Sequence, residues 1–218
     1  METEALLSRY RELRGFVTEY QTVAMNSVPA SAMMEYAKRI GLVQAGMLHP
    51  SSPAEMTLVF DLAVHTAPEG RSRAIDRIAK QRKLPPDSLE SMVMQALQNA
   101  LFTVWRVEGP RETAGIPAQD VLRKQSFWLM DEWLAKSAKP GERFVARLAD
   151  LGEYRVSCGA IVPVNDDVFQ LAAADTRTFQ AANTEAILRD RRFAEAFYRA
   201  AIKGGAMRGV AFRVPGEA

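Results

Sequence analysis

The sequence predicts an α+β protein, with an N-terminal helical bundle, a small β-barrel-like module and C-terminal helices, on three observations. Apolar residues recur at helical spacing through the first hundred positions. From Leu101 to Val107, and again from Arg143 to Val164, the chain turns β-branched and aromatic with strand-like spacing. A helix-capping Asn165 and a second helical pattern then follow. The predicted divisions are 1–99 for a helical domain, 100–164 for a small barrel module, and 165–218 for C-terminal helices and a tail.

The N-terminal helices can be placed one by one. Leu6, Tyr10, Leu13, Val17, Tyr20 and Ala24 fall at alternating four- and three-residue steps, so all six share one face of a helix over 3–25. Pro29 restarts the chain, and a second helix runs from about Ala30 to Ile40 with Gly41 behind it. A third opens on Ser52-Pro53-Ala54-Glu55, a capping serine, a first-position proline and a capping-box glutamate. A fourth is expected over 71–82, with Ile75 and Ile78 inside and Arg73, Arg77 and Lys80 outside. Pro85-Pro86 ends it, and Asp87 is expected to cap a fifth helix that buries Leu89, Val93 and Leu97. Eight of the ten methionines lie in residues 1–94, which suits adaptable packing between helices.

Downstream, Leu101–Val107 reads as a strand closed by Glu108-Gly109-Pro110. Short strands are expected near Gln119–Arg123 and Ser126–Met130, then a hairpin of Arg143–Leu148 and Glu153–Pro163. Turns every 8–12 residues favour a small barrel or strongly curved sheet. Asn165 caps a helix beginning Asp166-Asp167, and a last helix is expected over 184–203, stopping at Gly204-Gly205. Val210–Val214 reads equally as an edge strand or a loose tail.

Composition bounds the function. With 48% apolar and 25% charged residues the chain is an ordinary globular one, and it has no apolar run of membrane-spanning length. The acidic start, Met-Glu-Thr-Glu, has no apolar signal core behind it. A cytoplasmic location and no contact with membranes are the expectations. Cys158 is the single cysteine, which excludes an internal disulfide and any multi-cysteine zinc site. The formal charge of +2 is near balance, so the chain lacks the strongly basic character of a dedicated nucleic-acid binder.

Leu101–Pro163 resembles a module of poorly characterised bacterial proteins, in which a helical region precedes a small β-barrel and some members carry a C-terminal SEC-C zinc motif. The residues that carry the likeness are Phe102-Thr-Val-Trp-Arg-Val107, Gln119-Asp120-Val-Leu122, Lys139-Pro140-Gly141-Glu142-Arg143-Phe-Val-Ala-Arg147 and Tyr154-Arg-Val-Ser-Cys-Gly-Ala160. These are turn and core residues, so the likeness implies a fold and transfers no active site. The chain has no cysteine-rich tail, so neither zinc nor the partners of SEC-C carry over.

Candidate chemistry is sparse. Asp61 and His65 lie four apart on one helix face, the spacing of a metal pair or an oriented base, although two ligands do not hold a metal. His65 near a helix C-terminus also has an ordinary structural explanation, and His49 sits in a Leu48-His49-Pro50 turn. Cys158 alternates with Val156 and Ala160 on an inward face and reads as a core residue. Lys203–Gly209 follows a helix rather than preceding one and lacks the Gly-Lys-Ser/Thr ending of a phosphate loop.

Two surfaces are candidates for recognition. Arg71, Arg73, Arg77 and Lys80 form a basic stretch suited to phosphates or an acidic partner. Aromatic residues including Trp128, interleaved with Arg123 and Arg147, could form a stacking platform on the barrel, although most such rings are expected inside it. The leading expectation is a non-catalytic binding or adaptor module with a protein or nucleic-acid partner and no metal or other cofactor. Weak nucleic-acid binding and a hydrolase using Asp61 and His65 are the alternatives.

Overall fold

A computed structural model describes residues 2–68, 70–110, 115–176 and 183–210. The first helix, α1 (Glu2–Asn26), buries Tyr10, Leu13, Val17, Tyr20 and Ala24 along the stripe that the spacing dictates. The next, α2 (Ala30–Arg39), is followed by Gly41 at φ +87°, a left-handed position that glycine takes without strain. A two-residue hairpin, β1 (Val43–Gln44) with β2 (Met47–Leu48), then turns through Ala45 and Gly46, both at positive φ. Strands this short carry no readable period.

Helix α3 (Pro53–His65) starts where expected, but its cap differs. The Ser52 hydroxyl accepts no hydrogen bond, and Glu55 instead accepts from the Ser51 N–H at 2.6 Å. Helix α4 is shorter than expected, Ala74–Gln81, with Arg73 as its leading flank. Helix α5 (Leu89–Gln98) is capped by Ser88, which accepts from the Ser91 N–H at 3.1 Å. Asp87 stands one residue too early, in a left-handed turn at φ +61°.

The barrel follows. β3 (Leu101–Val107), β4 (Gly115–Asp120), β5 (Ser126–Met130), β6 (Arg143–Asp150) and β7 (Arg155–Ser157) form a closed ring in the order β3-β4-β5-β7-β6, with β6 pairing back onto β3. The strands thus follow one another around the ring in first-second-third-fifth-fourth order, and fold alone carries no function. β8 (Val162–Pro163) adds to the outer part of β6. Strand β4 begins four residues before its expected start at Gln119. Pro117, in its middle, masks the pattern. The expected strand 153–163 is two pieces, β7 and β8, separated by a bend at Cys158-Gly159.

Alternation divides the barrel's residues between lumen and outer face. Trp105, Val107, Ile116, Ala118, Leu129, Phe144, Ala146 and Leu148 pack inside, where Trp105 stacks on Phe144 with centroids 4.8 Å apart. A short helix missed in the sequence, α6 (Leu134–Ser137), sets Ala135 against this cluster at the end formed by Val107, Ile116 and Phe144. That end of the barrel is plugged.

Beyond the barrel, α7 (Asp166–Thr176) is capped as expected, Asn165 Oδ1 accepting from the Val168 N–H at 2.9 Å. The single helix expected over 184–203 is two, α8 (Thr184–Arg189) and α9 (Arg191–Lys203). Asp190 takes an extended conformation between them, and its carboxylate caps α9. Gly204 ends α9, and a 3-10 turn, Ala206–Gly209, follows. The candidate strand Val210–Val214 lies outside the described residues beyond position 210.

Helices cover two sides of the barrel's outer face. Phe102, Val104 and Val145 join α2, α3, α7 and α9 in one apolar cluster. Met130, Ala149, Val156 and Cys158 join α1, α4 and α5 in another.

Candidate functional site at the barrel mouth

A buried polar node sits where the helices meet the barrel. Arg147 on β6 donates to both Asp61 oxygens, through Nε at 2.8 Å and Nη2 at 3.1 Å. Tyr198 on α9 donates its hydroxyl to Asp61 Oδ2 at 2.9 Å, and the guanidinium lies 5.9 Å from the Phe102 ring centroid. From α1, Gln21 contacts His65 Nε2 at 3.2 Å and donates to the Cys158 carbonyl, while Arg14 donates to the Ser157 carbonyl. The node therefore joins α1, α3, α9 and two barrel strands.

Burial and charge set its protonation. Desolvation works against the Asp61 carboxylate, but Arg147, His65 and two hydrogen bonds outweigh it and hold the pKa below the ordinary value. His65 is pushed down to about 3, first by burial and then by Arg147, against a smaller opposing pull from Asp61. Tyr198 is raised well above its usual value by burial and by Asp61. Burial raises the Cys158 thiol to about 12, so it packs as a small hydrophobe rather than an activated nucleophile.

The structure gives each sequence-based candidate its place. Asp61 and His65 do share a helix face, but both are buried and Asp61 is fully engaged. No group of three or more His, Cys, Asp or Glu placed to hold a metal occurs among the described residues. Arg147, expected on a recognition surface, is 6% exposed. Alternation does point it away from the lumen, as expected of an outer-face residue, but helices cover that face.

Trp128 is partly buried on the outer face, packed against the N-terminal helical cluster, with Nε1 3.2 Å from Met130 Sδ. Trp105, Phe144 and Tyr154 are buried, as expected of core rings. In the basic stretch, Arg73 grips Asp76 at 2.7 and 2.8 Å and donates to the Gln98 carbonyl, and Arg77 donates to the Ser72 carbonyl. Arg71 and Lys80 are exposed. Arg73 and Arg147 both act electrostatically on the buried His65.

The unplugged end of the barrel is different. Here a cleft of about 480 Å³ lies between the C-terminal turn of α5, the start of β3, the β4–β5 turn and the β6–β7 turn. Met92, Ala96, Leu101, Leu148 and Leu151 supply apolar walls; Thr103, Arg123, Asp150 and Arg155 supply polar ones.

Local folding places each polar group. Asp120, with no exposed surface, accepts from the Leu122 and Arg123 N–H groups at 2.9 Å and from Thr103 Oγ1 at 2.7 Å, which fixes the β4–β5 turn and so Arg123. Asp150 accepts from the Gly152 N–H at 2.9 Å and from Arg155 Nε at 3.1 Å. Gly152 sits at φ +94°, a conformation that strains other residues. Arg155 also lies 4.6 Å over the Phe127 ring. The guanidiniums are therefore held in place by the chain itself. Sequence reasoning missed this site, apart from noting Arg123 among the basic residues. The usable signals were the turns Asp120-Val-Leu-Arg123 and Asp150-Leu-Gly152, each an Asp accepting from backbone N–H groups two or three residues on.

Fold and site together define a helix-wrapped small-barrel protein with one plugged end and one polar, cleft-bearing mouth. The chain belongs to a family of unknown function, DUF7986, whose model matches residues 4–208. That match carries no link to SEC-C-associated families. No curated protein and no solved structure matches the chain. No described helix is long and apolar enough to cross a membrane.

Proposed function

We propose that this protein is a non-catalytic binding module whose recognition site is the barrel mouth, and that its ligand is a small molecule. The observation that carries this reading is the asymmetry of the barrel: α6 packs into one end, while the other opens into a cleft bordered by four elements. Its volume falls in the range of small-molecule sites, and barrel mouths are a recurrent place for them. Apolar walls with a few fixed polar groups fit binding and orientation. Asp61 and His65 are buried and line no part of this cleft, which weighs against a hydrolase built on them.

The basic stretch lends less support to nucleic-acid binding, because Arg73 and Arg82 are held by Asp76 and Glu19 within the chain. Arg123 and Arg155 at the mouth are likewise paired with acids.

A thermal-shift screen of a small-metabolite library against wild type and Gln95→Trp tests the proposal. Gln95 is exposed on α5 and lines the cleft, so an indole there covers the mouth without entering the core. Compounds that stabilise wild type are expected to lose their effect in the variant. Hits that act equally on both proteins would place the site elsewhere. Turnover of esters, phosphates or peptides that point changes abolish would make the protein an enzyme instead.

A further inference from the structure

Resting on the mouth as the binding site, we infer that its ligand is a small zwitterion, an ammonium and a carboxylate carried on one apolar body. Charge balance is the first argument. Arg155 is paired with Asp150 at 3.1 Å; Arg123 is paired with Glu185 at 2.8 Å and lies 4.0 Å from Asp120. Two guanidiniums and one carboxylate line the cleft, Arg123 is already compensated from outside it by Glu185 and the buried Asp120, and the C-terminal turn of α5, the negative end of a helix, borders it. A polyanion finds no uncompensated cation here. A simple cation meets two arginines whose side chains are only 14% and 16% exposed.

Geometry supplies the second argument. The Arg155–Asp150 pair is a fixed dipole, braced by the Phe127 ring on the arginine side and by the Gly152 N–H on the aspartate side. Only Nε of Arg155 hydrogen-bonds within the described chain, which leaves both terminal amino groups of the fork to donate to a carboxylate. Asp150, 58% exposed, keeps acceptor capacity for an ammonium. A zwitterion laid antiparallel to this pair satisfies both partners and adds no net charge to the cleft. Met92, Leu101, Leu148 and Leu151 then receive its apolar part.

Titration calorimetry on the full chain, in buffered physiological salt at neutral pH, tests this with four probes of one shape: L-leucine, 3-methylbutan-1-amine, 4-methylpentanoate and 4-methylpentanamide. L-Leucine is expected to bind about tenfold or more tightly than either singly charged analogue. Asp150→Asn is expected to weaken L-leucine and move the preference toward the acid, and Arg155→Met to move it toward the amine. Unfolding of a variant cannot produce these opposite shifts, and melting temperatures confirm that each is folded. Binding of the acid, the amine or the amide to wild type as tightly as L-leucine would overturn the zwitterion while leaving the mouth as a site. No binding by any of the four would overturn the zwitterion, and the mouth itself stands or falls with the Gln95→Trp screen.

Discussion

Arg147 of β6 and Asp61 of α3 meet in a two-pronged ion pair, 2.8 and 3.1 Å long, with both side chains withdrawn from water. Eighty-six positions separate them in sequence. The pair, with Tyr198 on its far side, fastens the barrel to helices from both ends of the chain. Removing one partner leaves the other charge buried and uncompensated, which costs about 3–5 kcal/mol. Arg147→Met and Asp61→Leu are each expected to lose stability on that scale in urea denaturation. The double variant should lose much less than the sum of the two. Additive losses would mean that the residues do not act as a pair.

Acid sensitivity should expose His65. Its folded pKa, about 3, lies below the ordinary imidazole value of 6.5. Between these values the unfolded chain binds the extra proton, so stability is full above the unfolded pKa and falls as pH drops, by at most about 1.4 kcal/mol per unit. Asp61 acts lower: its depressed pKa gives stability that is present above the unfolded value of 3.8 and lost as pH falls through the folded one. The window from roughly pH 6.5 to 5, above most carboxylates, therefore isolates the histidine. Denaturation across that window should show a slope in wild type that His65→Gln flattens; equal slopes would contradict the buried neutral imidazole.

At Gly115 an added Cβ would run into the Trp128 indole at Nε1 and Cε2. Gly115→Ala must therefore displace the indole from its contact with the N-terminal helical cluster, at a cost of about 1–3 kcal/mol. Tryptophan emission should shift with the loss of stability. Trp128→Leu in the same chain should recover part of it. An unchanged melting temperature would argue against this packing.

The native thiol of Cys158 should resist alkylation at mildly alkaline pH, since it is 3% exposed and its pKa is raised to about 12. Mass spectrometry should find modification only after denaturation. Rapid labelling of the folded protein would show an accessible, activated thiol instead.

For nucleic acid, the expectation is negative. Single-stranded DNA at physiological salt should give no anisotropy change with the full chain, because Arg73 in the basic stretch and Arg123 and Arg155 at the mouth are paired with acids within the chain. Arg73→Ala should chiefly lower stability, by freeing Asp76 and the Gln98 carbonyl. Salt-sensitive binding weakened by Arg73→Ala plus Arg77→Ala would support the other reading.

Much of the architecture was legible from residue spacing. The stripe from Tyr10 to Ala24, the strand Leu101–Val107 and the cap at Asn165 rest on local periodicity or local hydrogen bonding, and these survive folding intact. Elements governed by exceptions were hidden: Pro117 inside β4, Asp190 in an otherwise unbroken helical pattern, and the four-residue α6. The polar sites were harder still. Strand alternation separates Arg147 from the lumen but does not tell whether a helix covers the outer face. The mouth is assembled from α5, β3, β6, β7 and a turn, so its residues become neighbours only once the ring closes.

Mapping a bound compound tests the account most directly. A stabilising metabolite from the thermal-shift screen is titrated into isotopically labelled protein, and backbone amide shifts are followed by NMR. The largest changes are predicted at Thr103, Arg123, Leu151, Gly152 and Arg155, with little at Arg71 or Lys80. Shifts centred on the exposed side of α4, with the mouth unmoved, would contradict the assignment of function to the open end of the barrel.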